Sequence, residues 1–233
     1  MRIKALGIAW LAALLAASPA TAAAPVVEQM VVFRDGDAVT RTVTAKEARV
    51  RVGRRRCTVG EGTALAALVR SRVGRLGLVD YGSCSTRARD SGGLFVRSIK
   101  GERNRGQDGW VYKVGRRGAT AGAGDPSGAL GRGRLKRGQR VTWFYCRLRD
   151  GGCQRTLAVE ARAEPGAVSV TVRGYDDEGR GVPVEGATVT AGSASAVSGA
   201  DGSTRLALPA GQHRLVAERD GLVRSFPERV AVP

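Results

Sequence analysis

The chain has 233 residues and a formal net charge of +17, from 38 lysines and arginines, 21 acidic residues and one histidine. This length is sufficient for two small domains. The only histidine, His213, lies late in the chain. The composition therefore excludes a histidine-activated serine or cysteine nucleophile within the first domain.

Residues 1–24 have the pattern of a secretory signal peptide. Arg2 and Lys4 precede an apolar run at residues 5–17, and small residues follow at 18–24. The apolar run is too short to span a bilayer comfortably, and this combination is typical of a cleaved signal. An uncleaved N-terminal anchor is the alternative. We therefore expect a secreted bacterial protein that can associate with the cell envelope.

The first domain is predicted over residues 25–163. Two strand-like runs at 26–33 and 38–43 flank an Asp-Gly pair, which is a strong hairpin signal. Residues 62–73 carry apolar side chains at helical spacing, with Thr63 as the N-cap. The other strand-like runs are residues 48–52, 76–81, 94–99, 109–114, 141–146 and 154–159. One main helix on a mixed sheet built from hairpins predicts an α+β, β-grasp-like domain.

The four cysteines predict two disulfides, since an even number of cysteines in an exported chain indicates bridges. Cys146 and Cys153 flank a predicted hairpin tip, while Cys57 precedes the helix and Cys84 follows the strand after it. Among the three possible pairings we favour Cys57–Cys84 and Cys146–Cys153. A four-cysteine zinc site is the alternative, but the spacings lack paired C-x₂₋₄-C knuckles. No metal site is predicted.

The second domain is predicted over residues 167–233, after a linker at 164–166. Val168, Val170 and Val172 alternate with polar residues, which is typical of a strand with one buried face. Short strand-like runs then recur at intervals of about ten residues between Gly, Pro and Asp turns. This pattern predicts an all-β sandwich.

Four motifs follow one another between residues 48 and 147. They are Gly-Thr-Ala-Leu at 62–65, Phe-Val-x-Ser-Ile at 95–99, Gly-Trp-x-Tyr-x-Val at 109–114 and Gly-x-x-Val-x-Trp-x-Tyr at 138–145. Together they resemble the transcobalamin-like C-terminal domain, a β-grasp family common in exported bacterial proteins. The resemblance implies a ligand-binding role, with a corrinoid-like flat ligand as one candidate. The helical partner domain that completes the corrinoid site in such proteins has no counterpart here, and no resident cofactor is predicted.

The second domain carries Pro-Val-x-Gly-Ala-x-Val from residue 183, an Asp-Gly turn at 201–202 and Leu-Pro-x-Gly from residue 208. This pattern resembles the carboxypeptidase regulatory-like module, a prealbumin-type β-sandwich, over residues 167–232. The resemblance implies an accessory role rather than a catalytic one.

The candidate ligand-binding residues are aromatic. Trp110 and Tyr112 alternate on one predicted strand, and Trp143 and Tyr145 alternate on another, so each pair shares a face of its strand. We predict an apolar platform for a flat ligand, with Arg116 on its rim. Packing of both tryptophans in the core is the alternative. No candidate catalytic residue is found.

The positive charge is unevenly distributed along the chain. Residues 24–164 contain 29 basic and 13 acidic residues, whereas residues 165–233 contain 7 and 8. Attraction to an acidic surface or polymer is one explanation, and an arginine-rich genome composition is the other. The sequence thus predicts an exported, non-enzymatic binding protein for an unknown small ligand. The alternative is an envelope-associated adhesive protein that binds acidic polymer; no specific nucleic-acid partner is predicted.

Overall fold

The computed structural model describes residues 23–149 and 151–233, which are mostly β-structure. The predicted signal peptide lies almost entirely outside the described residues. The elements before residue 147 are β1 (Val26–Val32), β2 (Ala38–Thr44), β3 (Ala48–Val52), β4 (Arg55–Val59), α1 (Ala64–Ser71), β5 (Leu76–Asp80), a 3₁₀ helix (Ala88–Gly93), β6 (Leu94–Ile99), β7 (Glu102–Arg103), β8 (Gly109–Val114), β9 (Arg117–Gly118) and β10 (Arg140–Cys146). The later elements are β11 (Thr156–Glu164), β12 (Ala167–Tyr175), β13 (Gly181–Pro183), β14 (Thr188–Ala191), β15 (Ala194–Val197), β16 (Ser203–Ala207), β17 (Gly211–Glu218) and β18 (Glu228–Val232).

Helix α1 begins where the sequence predicts. The Thr63 hydroxyl caps it by accepting a hydrogen bond from the Ala66 amide at 3.1 Å, which satisfies one of the free amides of the first turn. Leu65 and Leu68 are fully buried on the face that packs against β1 and β2. The helix ends at Arg72, whose φ of 51° is left-handed. The last helical residue therefore lies two residues before the end of the predicted helical segment at residue 73.

The main sheet of residues 23–146, here called the N-terminal region, has the strand order β2-β1-β10-β8-β9. β1 and β10 pair in parallel at its centre, and the other neighbouring strands are antiparallel. Val27 and Val31 of β1 point to the face that α1 covers. The hairpin β3–β4 and the sheet β5-β6-β7 enclose the rest of this core.

The predicted disulfide pairing is confirmed, with bonds joining Cys57 to Cys84 and Cys146 to Cys153. The first bond ties the end of β4 to the loop after β5. The second closes the connection that leaves β10. Two disulfides indicate an oxidising environment outside the cytoplasm.

Residues 147–233, here called the C-terminal region, form two sheets. One has the order β11-β12-β13, with β16 also paired to β12, and the other has the order β15-β14-β17-β18. Val168, Val170 and Val172 are buried between the sheets with leucine, valine and alanine side chains from both. This arrangement fits the predicted β-sandwich.

The predicted linker at residues 164–166 requires a correction. These residues lie at the turn between β11 and β12, which pair along their whole length from Thr156–Tyr175 to Glu164–Ala167. Leu157 and Val159 of β11 also pack in the C-terminal core. The Pro-Gly pair is therefore a hairpin turn, and the change from one core to the other lies between β10 and β11.

The two regions pack against each other on the second face of the main sheet. Met30, Val32 and Phe144 form a small cluster there with Val223 of the C-terminal region. Both faces of the central strands are thus covered.

A buried cation also joins the regions. Lys113 on β8 is only 1% exposed, and its ammonium group donates hydrogen bonds of 2.9 Å to the carbonyls of Tyr175 and Asp176. It also lies 3.1 Å from the Asp177 carboxylate. Arg140 adds a second link, at 2.8 Å from Glu28 and 2.7 Å from Glu228.

Among residues 23–149 and 151–233, no helix has the length and apolar character needed to cross a bilayer.

Candidate functional site

Strands β8 and β10 bring the four predicted aromatic residues together. The antiparallel register places Trp143 opposite Tyr112 and Tyr145 opposite Trp110. Directly opposed residues project to the same face, so the four rings lie side by side on the face that carries the N-terminal core. The sequence therefore predicts their grouping correctly.

Their exposure differs from the prediction, since all four rings are buried. Tyr112 stacks on Trp143 with ring centroids 4.8 Å apart, and Trp110 meets Tyr145 edge-on at 5.9 Å. The expected solvent-facing platform is corrected accordingly. The physical reason is that α1 and the smaller sheets cover this face of the strands, which strand alternation alone does not reveal.

The polar atoms of three of these rings are held by backbone carbonyls. Trp110 Nε1 donates to Glu102 O at 2.9 Å, Tyr112 Oη to Ala121 O at 2.9 Å, and Tyr145 Oη to Arg103 O at 3.1 Å. Burial, with a smaller effect of Asp125, raises the pKa of the Tyr112 hydroxyl above its usual range. This phenol thus stays protonated and holds the loop after β9.

Trp143 differs from the other three rings. Its Nε1 is buried and has no hydrogen-bond partner among the described residues. A buried donor without a partner loses its hydration on folding and gains nothing in return, which costs about 1–3 kcal/mol.

Arg116 does not lie on the rim of the aromatic cluster. Its guanidinium lies over the ring of Tyr175, 4.3 Å from the centroid, and is 2.9 Å from the Glu160 carboxylate. Arg116 is therefore engaged with the C-terminal region, and its predicted place beside the other four residues is corrected.

An apolar pocket of about 200 Å³ opens beside three of the aromatic rings. Trp110, Tyr112 and Trp143 form one side of it, whereas Tyr145 lies outside. The remaining lining residues are Leu94, Phe95, Val96, Val111, Ala119, Ala121, Gly122 and Ala123. The sequence does not predict this second wall, because the residues from Ala119 to Ala123 have no periodic pattern of apolar side chains.

The loop wall of this pocket is fixed against the 3₁₀ helix. A Cβ atom on Gly122 would lie 2.6 Å from Gly92 O, so only glycine permits this approach. The Ala123 carbonyl accepts a hydrogen bond from the Leu65 amide at 2.8 Å, and this bond anchors the loop to the start of α1. The pocket is thus preformed on both sides.

A wider cleft of about 980 Å³ lies between the two regions. Arg34, Tyr145 and Arg147 line one side, and the loop from Glu218 to Arg224 lines the other. Some of its polar groups have partners within the cleft: Arg147 donates to Arg34 O at 2.9 Å, and Arg224 lies 2.6 Å from Glu218.

Five arginines are grouped on the hairpin β3–β4, here called the arginine hairpin. They are Arg49, Arg51, Arg54, Arg55 and Arg56, and all are exposed. The sequence predicts the first strand of this hairpin, at residues 48–52, but not β4. The consecutive Arg54, Arg55 and Arg56 interrupt any alternation of apolar and polar residues at the start of β4.

The reactive side chains outside the pocket have structural partners. Cys84 is bonded to Cys57, and His213 Nε2 lies 2.7 Å from Pro209 O. Over the described parts of the chain, no three His, Cys, Asp or Glu side chains come together as a metal site would require.

Comparison with models of known protein families finds no match, and neither curated proteins nor solved structures match the chain.

Proposed function

We propose that the chain is an exported, non-enzymatic binding protein, in which the N-terminal region binds the ligand and the C-terminal sandwich is accessory. Two disulfides and the signal-like start support export. We further propose a β-grasp assignment for the N-terminal region. The parallel β1–β10 pair at the centre of its sheet and helix α1 packed across β1 and β2 support it.

The apolar pocket beside Trp110, Tyr112 and Trp143 is the proposed ligand site. Pockets for drug-sized ligands measure about 300–1,000 Å³, and an apolar cavity of about 150 Å³ is enough for benzene. A volume of about 200 Å³ therefore favours a group of one small ring over a whole corrinoid-like ligand. We propose that the ligand also carries a hydrogen-bond acceptor, since Trp143 Nε1 is buried without a partner among the described residues. The observation that carries the proposal is this preformed, mostly apolar pocket.

Titration of the mature protein with p-cresol and with toluene tests this site. Both have one small ring, but only p-cresol has an oxygen that can accept a hydrogen bond. We expect saturable binding of p-cresol, weaker binding of toluene, and a shift of the Trp143 indole N–H resonance with p-cresol. Trp143→Phe provides the assignment of that resonance.

Ala121→Leu tests whether p-cresol binds in this pocket. The larger side chain would fill the pocket and should abolish p-cresol binding. Ala231→Leu, on an exposed position of β18, serves as the control and should leave binding unchanged. Failure of the wild-type protein to bind either compound, or equal binding by Ala121→Leu, would contradict the pocket proposal.

Attraction to an acidic polymer is the second candidate function. Residues 23–146 contain 25 basic and 10 acidic residues, and most of the exposed arginines described there lack a carboxylate within 4.0 Å. Binding through such charges should weaken steeply as salt is added, because exposed charges are screened over about 8 Å at physiological ionic strength. Binding in the apolar pocket should not respond to salt in this way, so a salt titration separates the two candidates.

A further inference from the structure

We propose that the arginine hairpin, together with Tyr81 and Phe95, is the surface that binds an acidic polysaccharide. The proposal rests on the second candidate function and assigns it to one place on the molecule. The exposed charges of the hairpin, its fixed base and its neighbouring aromatic rings each contribute a separate observation.

The arginine charges of the hairpin are not balanced by any acidic side chain on the hairpin itself. The register places Arg51 directly opposite Arg56, and like charges in such a position destabilise a strand pair. Of the five arginines, only Arg55 has a carboxylate partner within the described residues, namely Asp80 at 3.4 Å. Two guanidinium groups held side by side form a site for an anionic group placed between them, which would relieve their repulsion.

The hairpin is held firmly at its base and is free at its tip. The Cys57–Cys84 bond and a 2.8 Å hydrogen bond from the Thr58 amide to Ser85 O fix β4. At the tip, Arg54 is exposed, and a Cβ atom on Gly53 would meet nothing within 4 Å. A polymer can thus reach the tip from several directions, and binding would order little of the backbone.

Exposed aromatic rings adjoin the hairpin. Tyr81 is 79% exposed and Phe95 is 43% exposed, with ring centroids 6.0 Å apart. Tyr81 directly follows Asp80, the partner of Arg55, so the rings border the same surface. The two rings together leave an apolar surface in water beside the arginines.

This combination favours an acidic polysaccharide over other anions. A sugar polymer presents apolar ring faces to Tyr81 and Phe95 and repeated carboxylate or sulfate groups to the arginines. A small inorganic anion would use only the arginines. The disulfides indicate an environment outside the cytoplasm, where such polymers occur at the cell surface.

The test measures binding of the mature protein to alginate, a polyuronate, and to dextran sulfate, with neutral dextran as the blank. Arg51→Gln/Arg54→Gln/Arg56→Gln removes three charges that have no carboxylate partner among the described residues. Arg41→Gln/Arg132→Gln/Arg137→Gln is the matched control, because it removes three exposed and likewise unpaired charges elsewhere in the N-terminal region. Melting temperatures of both variants establish that they are folded.

We expect the hairpin variant to lose about tenfold or more in affinity for both acidic polymers, and the control to lose less than about threefold. Tyr81→Ala should weaken binding of the polymers while leaving binding of inorganic tripolyphosphate unchanged. Equal losses in the two arginine variants would overturn the hairpin assignment but retain the second candidate function. Absence of binding by the wild-type protein would overturn both.

Two further probes decide the class of partner. One probe is a vesicle that contains phosphatidylglycerol, and the other is single-stranded DNA. Both carry repeated anionic groups, but neither has acidic sugars along a polysaccharide backbone. We expect the protein to bind each of these two probes more weakly than it binds alginate at the same ionic strength. Tighter binding of either would overturn the polysaccharide proposal.

Discussion

The two regions of the molecule differ in charge and in the composition of their cores. Residues 23–146 contain 25 basic and 10 acidic residues, whereas residues 147–233 contain 11 of each. A general preference of the genome for arginine would act on both regions alike, so this difference indicates that the charge belongs to the N-terminal region itself.

The cores show how the charged region remains folded. A large excess of one charge destabilises a compact state through repulsion. The N-terminal core contains four tryptophan and tyrosine rings, and a disulfide lies wholly within the region. The C-terminal region has no net charge. Its core is built from valine, leucine and alanine, and no disulfide lies wholly within this region. We infer that the larger rings and the covalent bond offset the repulsion.

Trp143→Ala should have the largest effect, a loss of about 3–5 kcal/mol in the free energy of unfolding, because it leaves a large cavity in the core. Urea denaturation followed by fluorescence of Trp110 reports the N-terminal region specifically. Leu215→Ala is the corresponding change in the C-terminal core. It should shift the unfolding transition measured by circular dichroism more than the one measured by Trp110 fluorescence. A loss below about 1 kcal/mol for Trp143→Ala would contradict a core role for this ring.

Removal of the disulfides should have the next largest effect. Cys57→Ala/Cys84→Ala opens a loop with a sequence separation of 27, and Cys146→Ala/Cys153→Ala opens one with a separation of 7. Loop-closure entropy predicts losses of about 3–4 and about 2–3 kcal/mol, respectively. Thermal unfolding of the two double variants measures the difference, and the reverse order would argue against an entropic origin.

Lys113→Met should cost about 2–3 kcal/mol, since it leaves the carbonyls of Tyr175 and Asp176 without their donor. Burial lowers the pKa of Lys113 below its ordinary value of 10.5. Between the lowered pKa and 10.5, the folded protein binds fewer protons than the unfolded chain, so its unfolding free energy rises with pH. Urea denaturation across this window should show the rise in the wild-type protein and its absence in Lys113→Met. If the unfolding free energy of Lys113→Met still rises with pH, a titratable group other than Lys113 causes the rise.

Gln29→Leu should have the smallest effect and the opposite sign. Both polar atoms of the Gln29 side chain are buried without partners among the described residues, so leucine should raise the unfolding free energy by about 1 kcal/mol. Gln154→Leu is the control in the C-terminal region, where the side chain accepts a hydrogen bond from the Arg147 amide at 2.9 Å. That variant should be destabilised. A destabilised Gln29→Leu would indicate that the Gln29 amide has a role in the fold that its contacts do not explain.

Local signals in the sequence predict the local elements well. The Thr63 cap, the apolar spacing of α1 and the alternation of Val168, Val170 and Val172 each reflect interactions within a few residues. The cysteine pairing is also predictable, because it follows from the placement of hairpin ends and strand ends.

The errors arise where tertiary contacts decide the outcome. Pro165-Gly166 has the same turn chemistry in a hairpin as in a linker, so the partner of β11 could not be identified locally. Alternation predicts that Trp110 and Tyr112 share one face of β8 and that Trp143 and Tyr145 share one face of β10, but not that other elements cover these rings. The pocket was missed for the same reason, since the loop at residues 119–123 contributes its wall only through its approach to the 3₁₀ helix.

The parallel pairing of β1 with β10 has a consequence for the order of folding. Glu28 lies opposite Arg140, so the two central strands of the sheet are separated by more than one hundred residues of chain. Contacts of such long range are slow to form, because the intervening loop must first close. A chain that has emerged only as far as β8 would expose unpaired edges on β1 and β8, and such edges promote aggregation. We therefore expect the period between emergence of β1 and emergence of β10 to be when this protein depends most on chaperones.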